Sequence, residues 1–186
     1  MKKKIRNLAL LGGTFDPPHE GHVYITNFII KKFNFQKCFW AVNSRNPFKK
    51  IDPKFTYSQR ISMCKTITKK NKKILIVNIK YISVFQLINK IKKKYSVNKI
   101  LFIVGSDNLI DLHKWYKFEY IINNVNFIFI ERPGYRNLLK KSSFFKKYNK
   151  HQIKKNMTIQ FFDNKSWIYC KTKGLNISSS ILRNGL

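Results

Sequence analysis

The feature that most restricts the fold is an alternation of short apolar runs with helical patterns along the chain. Asn7 to Leu11 reads as a short buried strand that stops at Gly12-Gly13. From Gly21 to about Lys32, the residues Val23, Ile25, Phe28, Ile29 and Ile30 follow helical spacing. Cys38 to Val42 reads as a second strand, followed by a polar, proline-containing loop from Asn43 to Phe55. Tyr57 to Ile67 reads as a helix, with Ile61, Cys64 and Ile67 spaced by three. Ile74 to Ile79, Ile100 to Val104 and Asn126 to Ile130 are the next strands, with a helix from Val84 to Tyr95 and two short helices within Asn108 to Asn124 between them. The pattern weakens beyond Gly134, where Asn137 to Tyr148 suits a basic helix, Met157 to Phe162 and Trp167 to Cys170 suit strands, and Ser178 to Asn184 suits a last short helix. Strands alternating with helices imply an α/β fold, a doubly wound parallel sheet with helices on both faces. The length of 186 residues suits a single domain spanning 1–186, with a small C-terminal helical subdomain over about 135–186. Ligands of such sheets bind beyond the carboxyl ends of strands, where the winding order reverses.

Two segments carry residues with chemistry. The first reads Gly12-Gly13-Thr14-Phe15-Asp16-Pro17-Pro18-His19-Glu20-Gly21-His22. Glycines after a strand let backbone N–H groups approach a phosphate. Pro17 and Pro18 hold the chain extended, so the helix starts only after them. A helix start near Gly21 offers unpaired N–H groups and a positive dipole end to an anion. His19 and His22 bracket that point and can donate to phosphate oxygens, with Gly21 leaving the space between them open. Two histidines three apart could also share a metal ion, but no cysteine or third histidine stands nearby. The second segment is Ile177-Ser178-Ser179-Ser180-Ile181-Leu182-Arg183. A serine before a short apolar helix is ordinarily an N-cap. Capping accounts for one serine; three, followed by an arginine one turn later, suit a triphosphate.

Together these segments resemble the nucleotidyltransferases that share a T/H-x-G-H loop and an I-S-S-T-x-I-R tail, with Ser180 and Leu182 as mild departures. Within that superfamily, with its Rossmann-like fold, the chain is similar to the bacterial nicotinate-nucleotide adenylyltransferases. Asn46-Pro47-Phe48-Lys49 resembles the family's N-P-x-K loop, and Gly105-Ser106-Asp107-Asn108-Leu109 with His113-Lys114-Trp115 resembles its G-x-D-x-L…W element. Arg132-Pro133-Gly134-Tyr135 resembles its R-P-G loop. The motifs run in family order from residue 8 to 183. One stretch departs: Ile82 to Leu87 stands where the family carries Y-T-x-D-T-L, and Phe85 replaces the acid.

The resemblance implies transfer of the adenylyl group of ATP to nicotinate mononucleotide, giving the deamido dinucleotide and pyrophosphate in NAD biosynthesis. His19, His22 and Arg183 would be the catalytic residues. Gly12, Gly13, Thr14, Phe15, Gly21, Lys49, Gly105, Asp107, Ser179 and Ser180 would bind ATP and its phosphates, with Asp107 placed for a ribose hydroxyl. Ser83, Trp115 and Arg132 would bind the acceptor. Trp115 could stack on the pyridine ring or serve as a core aromatic among Leu109, Leu112 and Phe118. Mg²⁺ would come with ATP, held by phosphate oxygens and water rather than by protein ligands.

The charge admits another class. Lys and Arg number 38 against 8 Asp and Glu, a formal net charge of +30. Dense positive charge binds nucleic acid. However, the lysines are spread along the chain, with no segregated stripe and no RNA-binding aromatic motif. Lys, Asn, Ile, Phe and Tyr are abundant together, as an A/T-rich coding sequence would dictate. No specific nucleic-acid partner is expected, and the basic stretch Lys140 to Lys155 has no assigned role. Cys38, Cys64 and Cys170 follow no metal-ligand spacing. The apolar run behind Met1-Lys2-Lys3-Lys4 is too short for a signal peptide, and no stretch reaches membrane-spanning length. A cytoplasmic enzyme with no membrane partner is expected, with a homo-oligomer left open. The same transfer to nicotinamide mononucleotide or phosphopantetheine is the nearest rival.

Overall fold

The computed structural model describes residues 2–49, 51–132, 135, 138–154 and 158–172. Its centre is a six-stranded sheet with every pairing parallel and the order β3-β2-β1-β4-β5-β6. The strands are β1 (Lys3–Gly13), β2 (Cys38–Val42), β3 (Ile74–Val77), β4 (Tyr95–Gly105), β5 (Asn126–Ile130) and β6 (Trp167–Cys170). The helices are α1 (Glu20–Phe33), α2 (Tyr57–Ile67), α3 (Val84–Lys94), α4 (Phe118–Asn124), α5 (Leu138–Lys141) and α6 (Ser143–Tyr148). The chain winds outward from β1 to β3, then crosses back to β4 on the other side of β1. The reversal lies between β1 and β4.

Successive side chains of a strand point to opposite faces, and here both faces are apolar. Leu8 and Leu10 of β1, Phe102 and Val104 of β4, and Phe127 and Phe129 of β5 enter one core, against Leu87, Ile88 and Ile91 of α3 and Ile121 and Ile122 of α4. Ala9 and Leu11, Leu101 and Ile103, and Ile128 and Ile130 enter the other, against Ile29, Ile30 and Phe33 of α1 and Cys64 of α2. The expected helices on both faces are therefore present. The segment beyond β5 joins the same body: Phe144 and Tyr148 of α6 pack into the first core, and β6 extends the sheet beside β5.

Several boundaries differ from the sequence expectation. β1 starts at Lys3 rather than Asn7, and β4 at Tyr95 rather than Ile100. The two extensions pair with each other, Lys3 with Tyr95 through Ile5 with Val97. Their residues are exposed or half-buried, so no apolar run marks them. The continuation of β4 also ends α3 at Lys94. β3 stops at Val77, two residues early. The strand expected within Met157 to Phe162 is instead a 3₁₀ turn over Ile159–Phe161. Ile159 and Phe162, three apart, both face the core there, and Lys99 Nζ donates to the Phe162 carbonyl (2.5 Å). The span expected to hold two short helices carries 3₁₀ turns at Ser106–Leu109 and Leu112–Lys114, followed by α4. The last helix, Ser178 to Asn184, lies outside the described residues.

Candidate active site

A cavity of about 470 Å³ opens at the carboxyl ends of β1 and β4, where the winding reverses. Its volume is in the range of small-molecule sites. Leu11, Gly12 and Gly13 line it from β1, and Ile103, Val104 and Gly105 from β4. At Gly12 an added Cβ would lie 2.9 Å from Phe102 Cζ and 3.0 Å from the Tyr81 hydroxyl. No side chain fits there, which leaves the backbone bare toward the cavity.

His19 and His22 line the cavity at the start of α1. Each imidazole caps the helix. His19 Nδ1 accepts from the Gly21 N–H (3.1 Å), and His22 Nδ1 accepts from the His19 N–H (3.2 Å). With Nδ1 accepting, a neutral ring carries its proton on Nε2. Burial, then the Arg132 charge, lowers the His19 pKa to about 4. Burial, then His19 and Arg132, lowers that of His22 to about 3, against a smaller opposing contribution from the His19 backbone. Both rings are therefore neutral at pH 7 and present Nε2–H donors, 3.9 Å apart between centroids. Thr26 holds the helix start: its hydroxyl donates to the His22 carbonyl (2.8 Å) and accepts from Trp40 Nε1 (2.9 Å).

Between β1 and α1 the chain turns sharply. Phe15 has φ of 49°, left-handed and uncommon for a residue with a Cβ. Its ring is buried, stacked on Trp40 at 4.9 Å and tilted against His22 at 4.8 Å. The buried Asp16 carboxylate accepts from the N–H groups of Lys54 and Phe55, both at 3.0 Å. Arg60, on the inner face of α2, is 1% exposed. Its guanidinium donates to the carbonyls of Phe55, Thr14, Asn43 and Ser44 at 2.7 to 3.0 Å.

Gly105, Asp107 and Arg132 form the facing wall. Arg132 Nε pairs with Asp107 Oδ1 at 3.2 Å, and the Arg132 N–H donates to Ser106 Oγ at 2.9 Å. An added Cβ at Gly105 would strike Asp107 Oδ1 and lie 2.7 Å from Arg132 Nε, so the pair would have to shift to admit it. Trp115 lines the cavity while its ring meets Phe102 and Phe127 edge-on at 6.1 and 6.3 Å. It is half-buried, with one side against the core and the rest lining the cavity. Ser83 lines the cavity as the N-cap of α3, accepting from the Gln86 N–H at 3.3 Å. Lys49 lines it from a turn closed by its own N–H donating to the Asn46 carbonyl (3.1 Å).

Gly12, Gly13, Thr14, Phe15, His19, His22, Lys49, Ser83, Gly105, Asp107, Trp115 and Arg132 thus gather around one cavity. Gly21 does not line it; its N–H is turned to His19 instead. Ser179, Ser180 and Arg183 lie outside the described residues. Phe85, the departure from the family's acid, does not line the cavity. It packs edge-on against Tyr116 and Tyr120 at 5.5 and 5.0 Å, with Lys117 Nζ 4.7 Å above its ring. Sequence reasoning missed Asn43, Arg60 and Tyr81. Tyr81 is buried, and its hydroxyl braces the end of β2 by donating to the Ala41 carbonyl at 2.9 Å. Arg60 carried a legible signal, as a cation on the same helical face as Ile61 and Cys64.

Residues 10–185 match the cytidylyltransferase-like family. The chain is 34% identical to a probable nicotinate-nucleotide adenylyltransferase of Pelagibacter ubique over 98% of its own length and 95% of the relative's. It is 28% identical to the nicotinate-nucleotide adenylyltransferase of Bacillus subtilis over 70% of this chain and 72% of that one. Among solved structures, the nicotinic acid mononucleotide adenylyltransferase of Plasmodium falciparum complexed with NaAD has a similar fold. The TM-score is 0.67 at 19% identity, covering 97% of this chain and 83% of that one. The parallel sheet, the cavity at its winding reversal and these matches along nearly the whole sequence agree: the chain belongs to the cytidylyltransferase-like family, among its nicotinate-nucleotide adenylyltransferases.

Proposed function

We propose that the chain transfers the adenylyl group of ATP to the phosphate of nicotinate mononucleotide, releasing pyrophosphate and forming nicotinate adenine dinucleotide. The observation that carries this reading is the pair of neutral imidazoles whose Nε2–H groups remain for a ligand at the start of α1. The named activity of the relatives and the NaAD complex of the Plasmodium protein support the choice of acceptor.

A phosphate oxygen of the mononucleotide attacks the α-phosphorus of ATP, and the bond to the β-phosphate bridging oxygen breaks. That oxygen leaves with the bonding pair as pyrophosphate. The nucleophile is already an anion, so no general base is required. The protein's work is to align two anions and to place donors where charge builds. In this reading His19 and His22 donate to the α-phosphate, and the bare backbone at Gly12, Gly13 and Thr14 cradles the phosphates beside Phe15. Gly21 acts through its N–H, which fixes the His19 ring. Lys49, with Ser179, Ser180 and Arg183 of the tail, holds the triphosphate. Gly105 and Asp107 take the ATP ribose, while Ser83, Trp115 and Arg132 take the acceptor.

Mg²⁺ arrives as Mg·ATP. Among the described residues no group of three or more His, Cys, Asp or Glu could hold a metal ion. In this reading the ion would be held by the phosphate oxygens of ATP and by water, and would offset charge on the leaving pyrophosphate. We place the reaction in the cytoplasm, since Cys38, Cys64 and Cys170 are free and buried, which fits a reducing compartment. No helix among the described residues is long and apolar enough to cross a membrane.

Pyrophosphate release measured with nicotinate mononucleotide, nicotinamide mononucleotide and phosphopantetheine in parallel tests this reading. Nicotinate mononucleotide is expected to give the highest kcat/KM. Equal or faster turnover with either alternative overturns the assignment.

A further inference from the structure

Arg60 lies beneath the cavity, not in it. Its guanidinium joins three stretches of chain: the turn after β1 through Thr14, the end of β2 through Asn43 and Ser44, and the approach to α2 through Phe55. One nitrogen, Nη1, serves both Thr14 and Asn43 (2.7 and 2.8 Å). A planar fork can reach carbonyls on separate sides; a lysine ammonium presents its donors from one point. Desolvation opposes the buried charge, and nearby Asp16 is the foremost group supporting it.

Asn43 is what this clamp holds. Its carbonyl accepts from Arg60, and its N–H donates to the Gly13 carbonyl at 2.9 Å. The side chain lines the cavity and is 8% exposed, yet Oδ1 has no hydrogen-bond partner among the described residues. A buried acceptor left unpaired is uncommon and points to a donor that arrives with a ligand. Beside a turn that faces phosphates, the donors of a nucleotide are its ribose hydroxyls.

We propose that Arg60 is a positioning residue that locks the turn after β1 to the end of β2. It thereby aims Asn43 Oδ1 at a ribose hydroxyl of a bound nucleotide. The proposal rests on the reading of the cavity as a nucleotide site.

Steady-state kinetics and melting temperatures of Asn43→Ala, Arg60→Lys and Arg60→Ala test it. Asn43→Ala is expected to melt like the wild type and to raise the KM of one nucleotide about tenfold, with kcat within about threefold. The KM that moves, ATP or acceptor, identifies which ribose is bound. If it is ATP, removing the contacted hydroxyl in 2′-deoxy- or 3′-deoxy-ATP weakens the wild type and leaves Asn43→Ala unaffected. Arg60→Ala is expected to lose about 100-fold in kcat/KM, the scale of a misplacement of about 1 Å. Guanidinium at a low, non-denaturing concentration is expected to restore at least about tenfold of that loss without helping Asn43→Ala. Arg60→Lys keeps the charge and still loses more than about tenfold.

Unchanged KM values in Asn43→Ala overturn the proposal. So does a folded Arg60→Ala within about threefold of wild-type activity, or guanidinium that raises the melting temperature and not turnover. Should Arg60→Ala fail to fold, Asn43→Ala and Arg60→Lys decide. A wild type inactive with every acceptor sinks the adenylyl-transfer reading instead. Calorimetric binding of ATP and of nicotinate mononucleotide to wild type and Asn43→Ala then decides this one, with equal affinities for both nucleotides counting against it.

Discussion

His22 binds three roles to one ring: it caps a helix, packs on Phe15 and faces the cavity. Replacing it with alanine is expected to lower kcat by about 100- to 1000-fold, the range seen when one transition-state donor is lost. The lost cap adds about 1 kcal/mol of destabilisation. Circular dichroism and turnover measured together check this, and near-normal turnover would refute the role. A second expectation concerns acidity. Both imidazoles have folded-state pKa values of about 3 and about 4, against an ordinary value near 6.5. A depressed histidine pKa means the unfolded chain takes up protons more readily than the folded one. The stability tied to neutral rings is thus complete above about pH 6.5 and falls as the pH drops toward 4 and then 3. Proton resonances of the two rings in the free protein should keep neutral-form positions at pH 5.5; a midpoint near 6.5 would contradict the burial argument. The histidines were legible because glycines and prolines surround them. Their tautomers were not, because these depend on which backbone N–H each ring caps. Arg60 was overlooked in a chain dense with lysine, although arginines are only six of its 38 basic residues.

At the scale of elements, the loop after β4 is the most exacting. Gly105→Ala places a methyl group against the Asp107–Arg132 pair. It is expected to raise KM several-fold for at least one substrate while moving the melting temperature little, because the pair is partly exposed. An unchanged KM would detach this wall from binding. Trp115→Ala should chiefly raise the KM of the pyridine nucleotide; a loss confined to thermal stability would leave the residue a core aromatic. The short strands β2 and β5 were read to the residue, since they are buried throughout and each ends at a polar residue, Asn43 or Glu131. The amino-terminal parts of β1 and β4 escaped notice because each finds its partner in the other, some 90 residues away, rather than in a core. Phe85 teaches the same lesson. Its position in the motif suggested a change in the site, but its own ring does not line the cavity: it packs on Tyr120 and on Tyr116, which does line it, with Lys117 above.

Over the whole molecule, a formal charge of +30 surrounds a cavity assigned to two anions. Such a field speeds the approach of negative ligands and is screened by salt. The value of kcat/KM for ATP is expected to fall several-fold between about 50 and about 500 mM KCl, with kcat changing less. Parallel losses in both would place the salt effect on the chemistry rather than on encounter. The doubly wound architecture was readable from the alternation alone, since strands apolar on both faces can only lie inside two helical layers. The cavity lies where strand order reverses, and that order is a property of the folded sheet. β1 and β4, which frame it, are also the longest strands, 11 residues each, paired from Lys3 with Tyr95 to Leu11 with Ile103. Central, fully covered ladders open only when the entire domain does. In deuterium exchange, the amides of Leu8 to Leu11 and Ile100 to Ile103 should be the last to take up label, so a protein still able to hold its nucleotides is one whose innermost amides have not yet met solvent.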